Sequence, residues 1–105
     1  MDIEALPTPS LILDRGVVTR NTSRMAQRMA AHGVALRPHL KTAKSVPVAK
    51  LATAGHSGAI AVSTLAEAAY FLEHGFIDIT YAVCMAPGKL PRAAALMDAG
   101  ADLKI

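Results

Sequence analysis

Two spacings of apolar residues alternate along the chain. Short runs of mostly apolar residues are separated by longer stretches in which apolar residues recur every three or four positions. The first pattern is typical of strands, and the second is typical of helices that cover one face of a sheet. The short runs predict strands at about residues 10–14, 35–41, 59–63, 78–84 and 102–105. The longer stretches predict helices at about residues 17–32, 45–54, 64–74 and 91–99.

Turn and capping residues support the same alternation. A glycine follows each predicted helix, at positions 33, 55, 75 and 100, as is common at helix C-termini. Thr64 and Glu67 have the spacing of a capping box at the start of the third helix. The run at residues 59–63 is continuously apolar, which is typical of a strand buried on both faces. Together these features predict an α/β fold whose parallel sheet is built from strand–helix–strand units.

The length of the chain limits what this fold can contain. The chain has 105 residues, of which 52% are hydrophobic, 18% are charged and 4% are aromatic, so it can form one small domain. A parallel strand at residues 102–105 should be followed by a helix that covers it. Because the sequence stops inside this strand, we expect the chain to be a truncated part of a larger fold.

Charge, cysteine content and targeting signals exclude several classes of function. The net charge is +3, but aromatic residues are not interleaved with the dispersed basic residues, so no nucleic-acid partner is expected. The acidic N-terminus lacks the features of a signal peptide, and no apolar run reaches the roughly 18–20 residues of a membrane span. The single cysteine, Cys84, excludes an internal disulfide. These features predict a cytoplasmic protein with no membrane partner.

One predicted strand-to-helix junction carries residues suited to chemistry. In α/β folds, ligands bind at the carboxyl ends of the strands. The second predicted strand delivers Arg37, His39 and Lys41 at alternate positions, which places their side chains on one face of the strand. A lysine at a strand end, beside other cationic groups, is a candidate amine nucleophile for a Schiff base. The same spacing also fits a solvated, charged edge strand, and spacing alone leaves both interpretations open.

The residues around this lysine also carry a resemblance to a known family. Residues 37–44 read Arg-Pro-His-Leu-Lys-Thr-Ala-Lys. This octapeptide resembles the pyridoxal-phosphate (PLP) lysine motif of the D-threonine aldolase and D-serine dehydratase family, whose members are alanine-racemase-like, fold-type III PLP enzymes. The segments at residues 8–10, 13–14, 61–68 and 78–83 follow that family's pattern as well. The resemblance therefore covers essentially the whole chain.

The resemblance implies a more specific fold. Residues 1–105 would be a truncated alanine-racemase-like N-terminal domain, the first portion of a TIM-like (β/α)8 barrel. A complete barrel of this kind needs about 250 residues. The barrel would begin with the lysine strand. Residues 1–14 would form an extended segment whose strand pairs with a C-terminal β domain that lies outside this chain.

The resemblance also implies a cofactor site. Lys41 would be the catalytic residue and would form the Schiff base with PLP. His39, Thr42, Arg37 and Thr64 would line the cofactor site together with Lys41. Simpler roles stay open for three of them: a hydrogen bond to backbone for His39, an ion pair for Arg37 and a helix N-cap for Thr64. A divalent metal of the Mn or Zn type is expected only in the full-length protein, because the family's metal ligands lie near its C-terminus.

The implied activity is that of a homodimeric lyase with a D-amino acid as its small-molecule substrate. The reaction would be retro-aldol cleavage of 3-hydroxy D-amino acids to glycine and an aldehyde. Ala43 is small, which resembles the aldolase branch, whereas the dehydratase branch tends to carry histidine there. D-serine dehydratase activity and a non-catalytic PLP-binding fragment are the alternatives. We expect the 105-residue chain by itself to be inactive.

Overall fold

The computed structural model describes residues 2–105 as helices that alternate with short parallel strands. The helices are α1 (Arg15–Ala31), α2 (Val46–Thr53), α3 (Leu65–Glu73) and α4 (Leu90–Asp98). The strands are β1 (Ile60–Val62), β2 (Asp78–Tyr81) and β3 (Asp102–Lys104). A single 3₁₀ turn, Pro87–Lys89, precedes α4. The predicted α/β class is confirmed.

The three strands form one parallel sheet in the order β1–β2–β3. Ile60 pairs with Ile79, which in turn pairs with Leu103. Each parallel pair is joined through a helix, α3 or α4, so the connections are the crossovers that a parallel sheet requires. All carboxyl ends of the strands therefore lie at one edge of the sheet.

The predicted strand at residues 35–41 is reduced to one parallel bridge beside β1. His39 pairs with Ala61, and the backbone N–H of Leu40 donates to the Ala61 carbonyl at 3.0 Å. The N–H of Ala61 donates to the carbonyl of Pro38 at 2.9 Å. Because proline has no N–H to donate, Pro38 is suited to an edge of a sheet and weakens a longer ladder there. The bridge nevertheless places this segment next to β1 in the same direction.

The two faces of the sheet differ in chemistry. On one face, alternate strand residues are buried with residues of the helices in a single apolar cluster that includes Leu40, Ile60, Val62, Ile79 and Leu103. The residues between them point to the other face, which carries polar and charged side chains. That open face is formed by Ala61 together with Arg37, His39, Asp78, Thr80, Asp102 and Lys104. No helix of residues 2–105 covers it.

The N-terminal part of the described chain lies outside the sheet. Residues 10–14 form no strand, and Leu11 is 90% exposed. Asp14 is instead the N-cap of α1, where its Oδ1 accepts the N–H of Val17 at 2.9 Å. This cap, which the sequence analysis did not assign, moves the start of the helix two residues earlier than predicted. Pairing of this segment with a further β domain stays a prediction.

No helix within residues 2–105 has both the length and the apolar character needed to cross a membrane.

Candidate active site around Lys41

Lys41 lies at the carboxyl edge of the sheet, in the position where α/β folds bind ligands. It opens a turn of three residues, Lys41 to Ala43, which directly follows the bridge at His39. Its side chain is exposed. Among the residues that the structure describes, Lys41 Nζ makes no hydrogen bond or ion pair. The geometry therefore presents a primary amine that is available to a ligand.

The imidazole of His39 joins this turn to the end of β1. Its Nδ1 accepts the backbone N–H of Lys41 at 3.3 Å, and its Nε2 lies 3.3 Å from Ser63 Oγ. Since Nδ1 is the acceptor, the neutral ring carries its proton on Nε2, which donates to the serine hydroxyl. His39 thus orients the backbone of Lys41 through a side-chain contact to the next strand. This is the backbone role that the sequence analysis left open.

A buried carboxylate lies behind the same turn. Glu67 is 7% exposed, and its Oε2 accepts the backbone N–H of Ser63 at 2.8 Å. Its Oε1 lies 3.3 Å from Lys44 Nζ. Burial acts to raise the pKa of Glu67, but the Ser63 N–H and the Lys44 ammonium outweigh burial and leave that pKa below its ordinary value. Glu67 is therefore held as a carboxylate between the end of β1 and the lysine turn.

Thr64 acts as the N-cap of α3. Its Oγ1 accepts the N–H of Glu67 at 3.0 Å, as the capping-box spacing predicts. The reciprocal bond of a standard box would run from Glu67 to the N–H of Thr64, whereas here it runs to Ser63, one residue earlier. The box is consequently shifted toward β1, which brings its carboxylate within reach of Lys44.

Arg37 lies at the opposite end of the sheet. Its guanidinium contacts both carboxylate oxygens of Asp78, at 2.6 and 3.2 Å. It also donates to the backbone carbonyls of Ile60 and Asp78, each at 3.3 Å. Lys104 Nζ lies 2.7 Å from the same carboxylate. Hydrogen bonds from Arg37 and Lys104 hold the pKa of Asp78 at about 2, below its ordinary value of 3.8.

The structure thus separates the predicted site residues into two groups. His39 and Lys41 meet at the carboxyl edge, together with Thr42, which is exposed in the turn. Thr64 follows the end of β1 on the same edge, where its hydroxyl caps the N-terminus of α3. Arg37 is at the amino-terminal end, in an ion pair. The cofactor contacts predicted for these residues stay predictions.

Three residues of this region were absent from the predicted site. From the sequence, Glu67 was assigned as a capping residue, Ser63 as a hydroxyl at a helix N-terminus and Lys44 as a surface charge or a member of a structural ion pair. Ser63 directly follows β1 and Lys44 directly follows the lysine turn, whereas Glu67 lies in the first turn of α3. What joins them is a contact across 23 positions, from Lys44 to Glu67, which local spacing does not show.

Residues 2–105 contain no group of three or more histidine, cysteine, aspartate or glutamate side chains placed to hold a metal ion.

The ion pair of Arg37 leads to a prediction about pH. Asp78 has a depressed pKa in the folded protein, so its stabilising effect is complete above the ordinary value of 3.8 and is lost as the pH falls through about 2. At pH 6, we expect Arg37→Gln to lower the free energy of unfolding by about 1 kcal/mol, since the exposed part of the pair is screened by water. At pH 2 the difference should shrink to the part that comes from the hydrogen bonds of Arg37 to the backbone carbonyls of Ile60 and Asp78, which do not titrate.

Denaturant unfolding at several pH values measures this effect, with Arg92→Gln as the matched control. Arg92 is exposed on α4 and makes no ion pair among the described residues. A difference between Arg37→Gln and the parent that is equally large at pH 2 and pH 6 would contradict the assignment to Asp78.

Known proteins similar to this chain are enzymes named for hydroxylated D-amino acids. D-threo-3-hydroxyaspartate dehydratase from Delftia sp. (strain HT23) is 52% identical over 100 residues, which cover 95% of this chain and 26% of that protein. D-serine dehydratase from Dictyostelium discoideum is 38% identical over 97 residues, covering 88% of this chain and 24% of that protein. 3-Hydroxy-D-aspartate aldolase from Paracoccus denitrificans is 35% identical over 107 residues, covering 100% of this chain and 28% of that protein. No protein-family model matches the chain.

Solved structures agree with the sequence matches. The Delftia dehydratase superposes with a TM-score of 0.90 and 53% identity, over 96% of this chain and 27% of that chain. The chain belongs to the D-threonine aldolase and D-serine dehydratase family. An alanine-racemase-like protein from Idiomarina loihiensis superposes with a TM-score of 0.88 and 40% identity, over 96% of this chain and 27% of that chain. The predicted family and the alanine-racemase-like fold are therefore confirmed.

The chain spans about a quarter of the length of the curated relatives it matches. Its sheet of three strands and one bridged segment is accordingly a portion of an alanine-racemase-like barrel. The open polar face of the sheet corresponds to the side that a closed barrel encloses. Another solved structure similar to this chain is that of a D-threo-3-hydroxyaspartate dehydratase C353A mutant in the metal-free form, with a TM-score of 0.89 and 53% identity.

Proposed function

We propose that the protein carrying this chain is a PLP-dependent lyase of 3-hydroxy D-amino acids, with Lys41 as its Schiff-base lysine. The observation that carries the proposal is the position of Lys41 Nζ, exposed at the carboxyl edge of a barrel sheet. Two further considerations support it: the octapeptide at residues 37–44 resembles the PLP-lysine motif, and the relatives are dehydratases and an aldolase of hydroxylated D-amino acids.

The residues at this edge fit the chemistry of PLP. An aldehyde that carries a phosphate needs an amine to bind its carbonyl and hydrogen-bond donors around its polar groups. Lys41 supplies the amine, and the hydroxyls of Thr42 and Thr64 supply donors near the edge. Beside His39, the open face continues with Ala61 and Thr80, whose short side chains leave room above the sheet.

Each residue then has a distinct role in the proposed enzyme. Lys41 would hold the cofactor, and the bound cofactor withdraws electron density from Cα of the amino acid. The amine of Lys41, when not bonded to the cofactor, would be a base that could accept the proton of Cα. His39 orients Lys41, and Arg37 anchors the start of the same segment to β2.

Two reactions share this site, and they differ in which proton leaves. Dehydration removes the proton of Cα together with the β-hydroxyl, whereas retro-aldol cleavage removes the proton of the hydroxyl and breaks the bond between Cα and Cβ. We propose dehydration as the first candidate, supported by 52% identity to a D-threo-3-hydroxyaspartate dehydratase. Retro-aldol cleavage is the second candidate, supported by the small Ala43 and by similarity to a 3-hydroxy-D-aspartate aldolase over the whole chain.

Product analysis distinguishes the two reactions. The complete protein is supplied with PLP and a divalent metal and incubated with D-threo-3-hydroxyaspartate, D-serine or D-threonine. We expect ammonia and a 2-oxo acid from dehydration. Glycine and an aldehyde would instead indicate cleavage.

Deuterium at Cα gives a second, independent measurement. It should slow dehydration and be lost to solvent, because that reaction breaks the bond from Cα to hydrogen. In cleavage, the deuterium would stay in the glycine product. Binding of PLP without turnover of any of these substrates would contradict the lyase proposal and favour a non-catalytic PLP-binding protein.

A further inference from the structure

Lys44 has a backbone conformation that L-residues seldom adopt. Its φ is 46°, in the left-handed region that favours glycine. Such a conformation persists only where surrounding contacts hold it. The backbone N–H of Lys44 donates to the carbonyl of Leu40 at 2.9 Å, which closes the turn that carries Lys41. The conformation of Lys44 and the position of Lys41 are therefore parts of one turn.

The contact that holds this turn from outside is the carboxylate of Glu67. One oxygen is bonded to the backbone N–H of Ser63 at 2.8 Å and the other lies 3.3 Å from Lys44 Nζ. The carboxylate is 7% exposed, whereas the Lys44 side chain is 60% exposed, so the glutamate is the fixed partner. Through it, the end of the lysine turn is tied to the end of β1.

The beginning of the turn is tied to the same place by a different contact. His39 bonds the backbone N–H of Lys41 and the hydroxyl of Ser63. Ser63 is thus shared by both contacts, through its hydroxyl with His39 and through its N–H with Glu67. Two links, one on each side of Lys41, converge on a single residue of the sheet edge.

We propose that Glu67 is a positioning residue for Lys41, acting through Lys44 and Ser63 to hold the lysine turn against the end of β1. This inference rests on the proposed role of Lys41 as the cofactor lysine. In this role Glu67 would act on the lysine turn, through its contacts with Ser63 and Lys44. A glutamate that served only as a helix cap would stabilise α3 and leave the turn unaffected, so the two roles differ in what they change.

Three variants of the complete protein separate these roles. Glu67→Gln keeps the size of the side chain and an acceptor for the Ser63 N–H, but it removes the charge that Lys44 requires. Lys44→Met removes the ion pair and leaves the cap of α3 intact. Glu73→Gln is the matched control, because Glu73 is exposed in the last turn of the same helix and contacts neither Ser63 nor Lys44.

The first measurement is hydrogen exchange in the cofactor-free protein, with the backbone amide of Lys44 as the reporter. We expect Glu67→Gln and Lys44→Met each to raise the exchange rate of this amide about fivefold, because each variant loses one partly exposed ion pair. Combining Glu67→Gln with Lys44→Met should raise the exchange rate little beyond that of either single variant, because both substitutions remove the same contact. Glu73→Gln should leave the rate unchanged. Unchanged exchange in Lys44→Met, which keeps the helix cap, would overturn the proposal even if Glu67→Gln failed to fold.

The second measurement is the rate at which PLP added to the folded, cofactor-free protein acquires the visible absorbance of a lysine Schiff base. It should fall about fivefold in Glu67→Gln and in Lys44→Met, in step with the exchange rates. If the variants exchanged faster but acquired the Schiff-base absorbance at an unchanged rate, the ion pair would stabilise the turn without affecting the reactivity of Lys41. That result would overturn the positioning role. If the parent protein itself acquired no absorbance, the cofactor proposal would fail, while the exchange data would still report separately on the turn.

Discussion

Replacing Lys41 with alanine should abolish both the visible absorbance of the PLP Schiff base and the turnover of hydroxylated D-amino acids, by at least about a thousandfold. The reason is that Lys41 presents an exposed primary amine at the carboxyl edge, and this amine makes no hydrogen bond or ion pair among residues 2–105. Its neighbour Lys44 cannot substitute, because its ammonium is paired with the buried Glu67 at 3.3 Å. Absorbance spectra and product formation in the complete protein measure the loss.

Two further variants show whether the loss is specific to the Lys41 amine. Lys41→Arg keeps the positive charge but cannot form a Schiff base, so it should behave as Lys41→Ala does. Lys50→Ala is the matched control, since Lys50 is an exposed lysine on α2. Borohydride reduction followed by peptide mapping locates the modified residue directly. Reduction that labels Lys44, or absorbance that survives in Lys41→Ala, would contradict the assignment.

The elements of the fold that depend on local signals were predictable from the sequence. The helices around Thr64 and before Gly33 and Gly75 begin and end within about two residues of the predicted positions, because caps and C-terminal glycines act within one turn of the chain. The parallel arrangement also followed from local features, since strands that alternate with helices can pair in sequence only through crossovers. The prediction of a barrel came from the family resemblance, because local spacing does not indicate whether a parallel sheet closes into a barrel.

The parts of the site that depend on distant contacts were not predictable from spacing. Arg37 and His39 are two residues apart and point to one face, as alternation requires, yet they contact different ends of the sheet. Arg37 is drawn to Asp78, 41 positions later, whereas His39 reaches Ser63, 24 positions later. A charged residue in a strand can bind a ligand or can pair with a residue of a neighbouring strand. Which of these it does depends on the partner that the fold places beside it.

The same distant contacts explain why the lysine segment needs so little regular structure. It forms a single bridge instead of the predicted strand of seven residues, yet it is held by side chains on both sides of Lys41. The Arg37–Asp78 pair fixes its beginning on β2 and the Lys44–Glu67 pair fixes its end on α3. Ion pairs of this kind restrict position without closing the edge, so Lys41 stays accessible while its backbone is held.

Replacing Phe71 with alanine should lower the free energy of unfolding by about 3–5 kcal/mol. Phe71 is fully buried at the centre of the apolar cluster that joins α3 to the sheet. Its ring meets Phe76 edge-on, with centroids 5.7 Å apart, and Tyr70 with centroids 5.0 Å apart. Alanine would leave a cavity at this position. Tyr70 and Phe76 cannot move into it, because Tyr70 is held in α3 and Phe76 in the short connection between α3 and β2.

Guanidinium unfolding of the cofactor-free complete protein measures this loss without a contribution from ligand binding. Ile77→Ala is the matched control, since Ile77 follows Phe76 directly but is 56% exposed, and it should change stability by no more than about 0.5 kcal/mol. Because α3 also carries Glu67 at its first turn, Phe71→Ala should loosen the lysine turn only where it unfolds the helix as a whole. A loss of less than about 1 kcal/mol in Phe71→Ala would show that the core between α3 and the sheet relaxes around the gap, and would contradict the rigid packing inferred here.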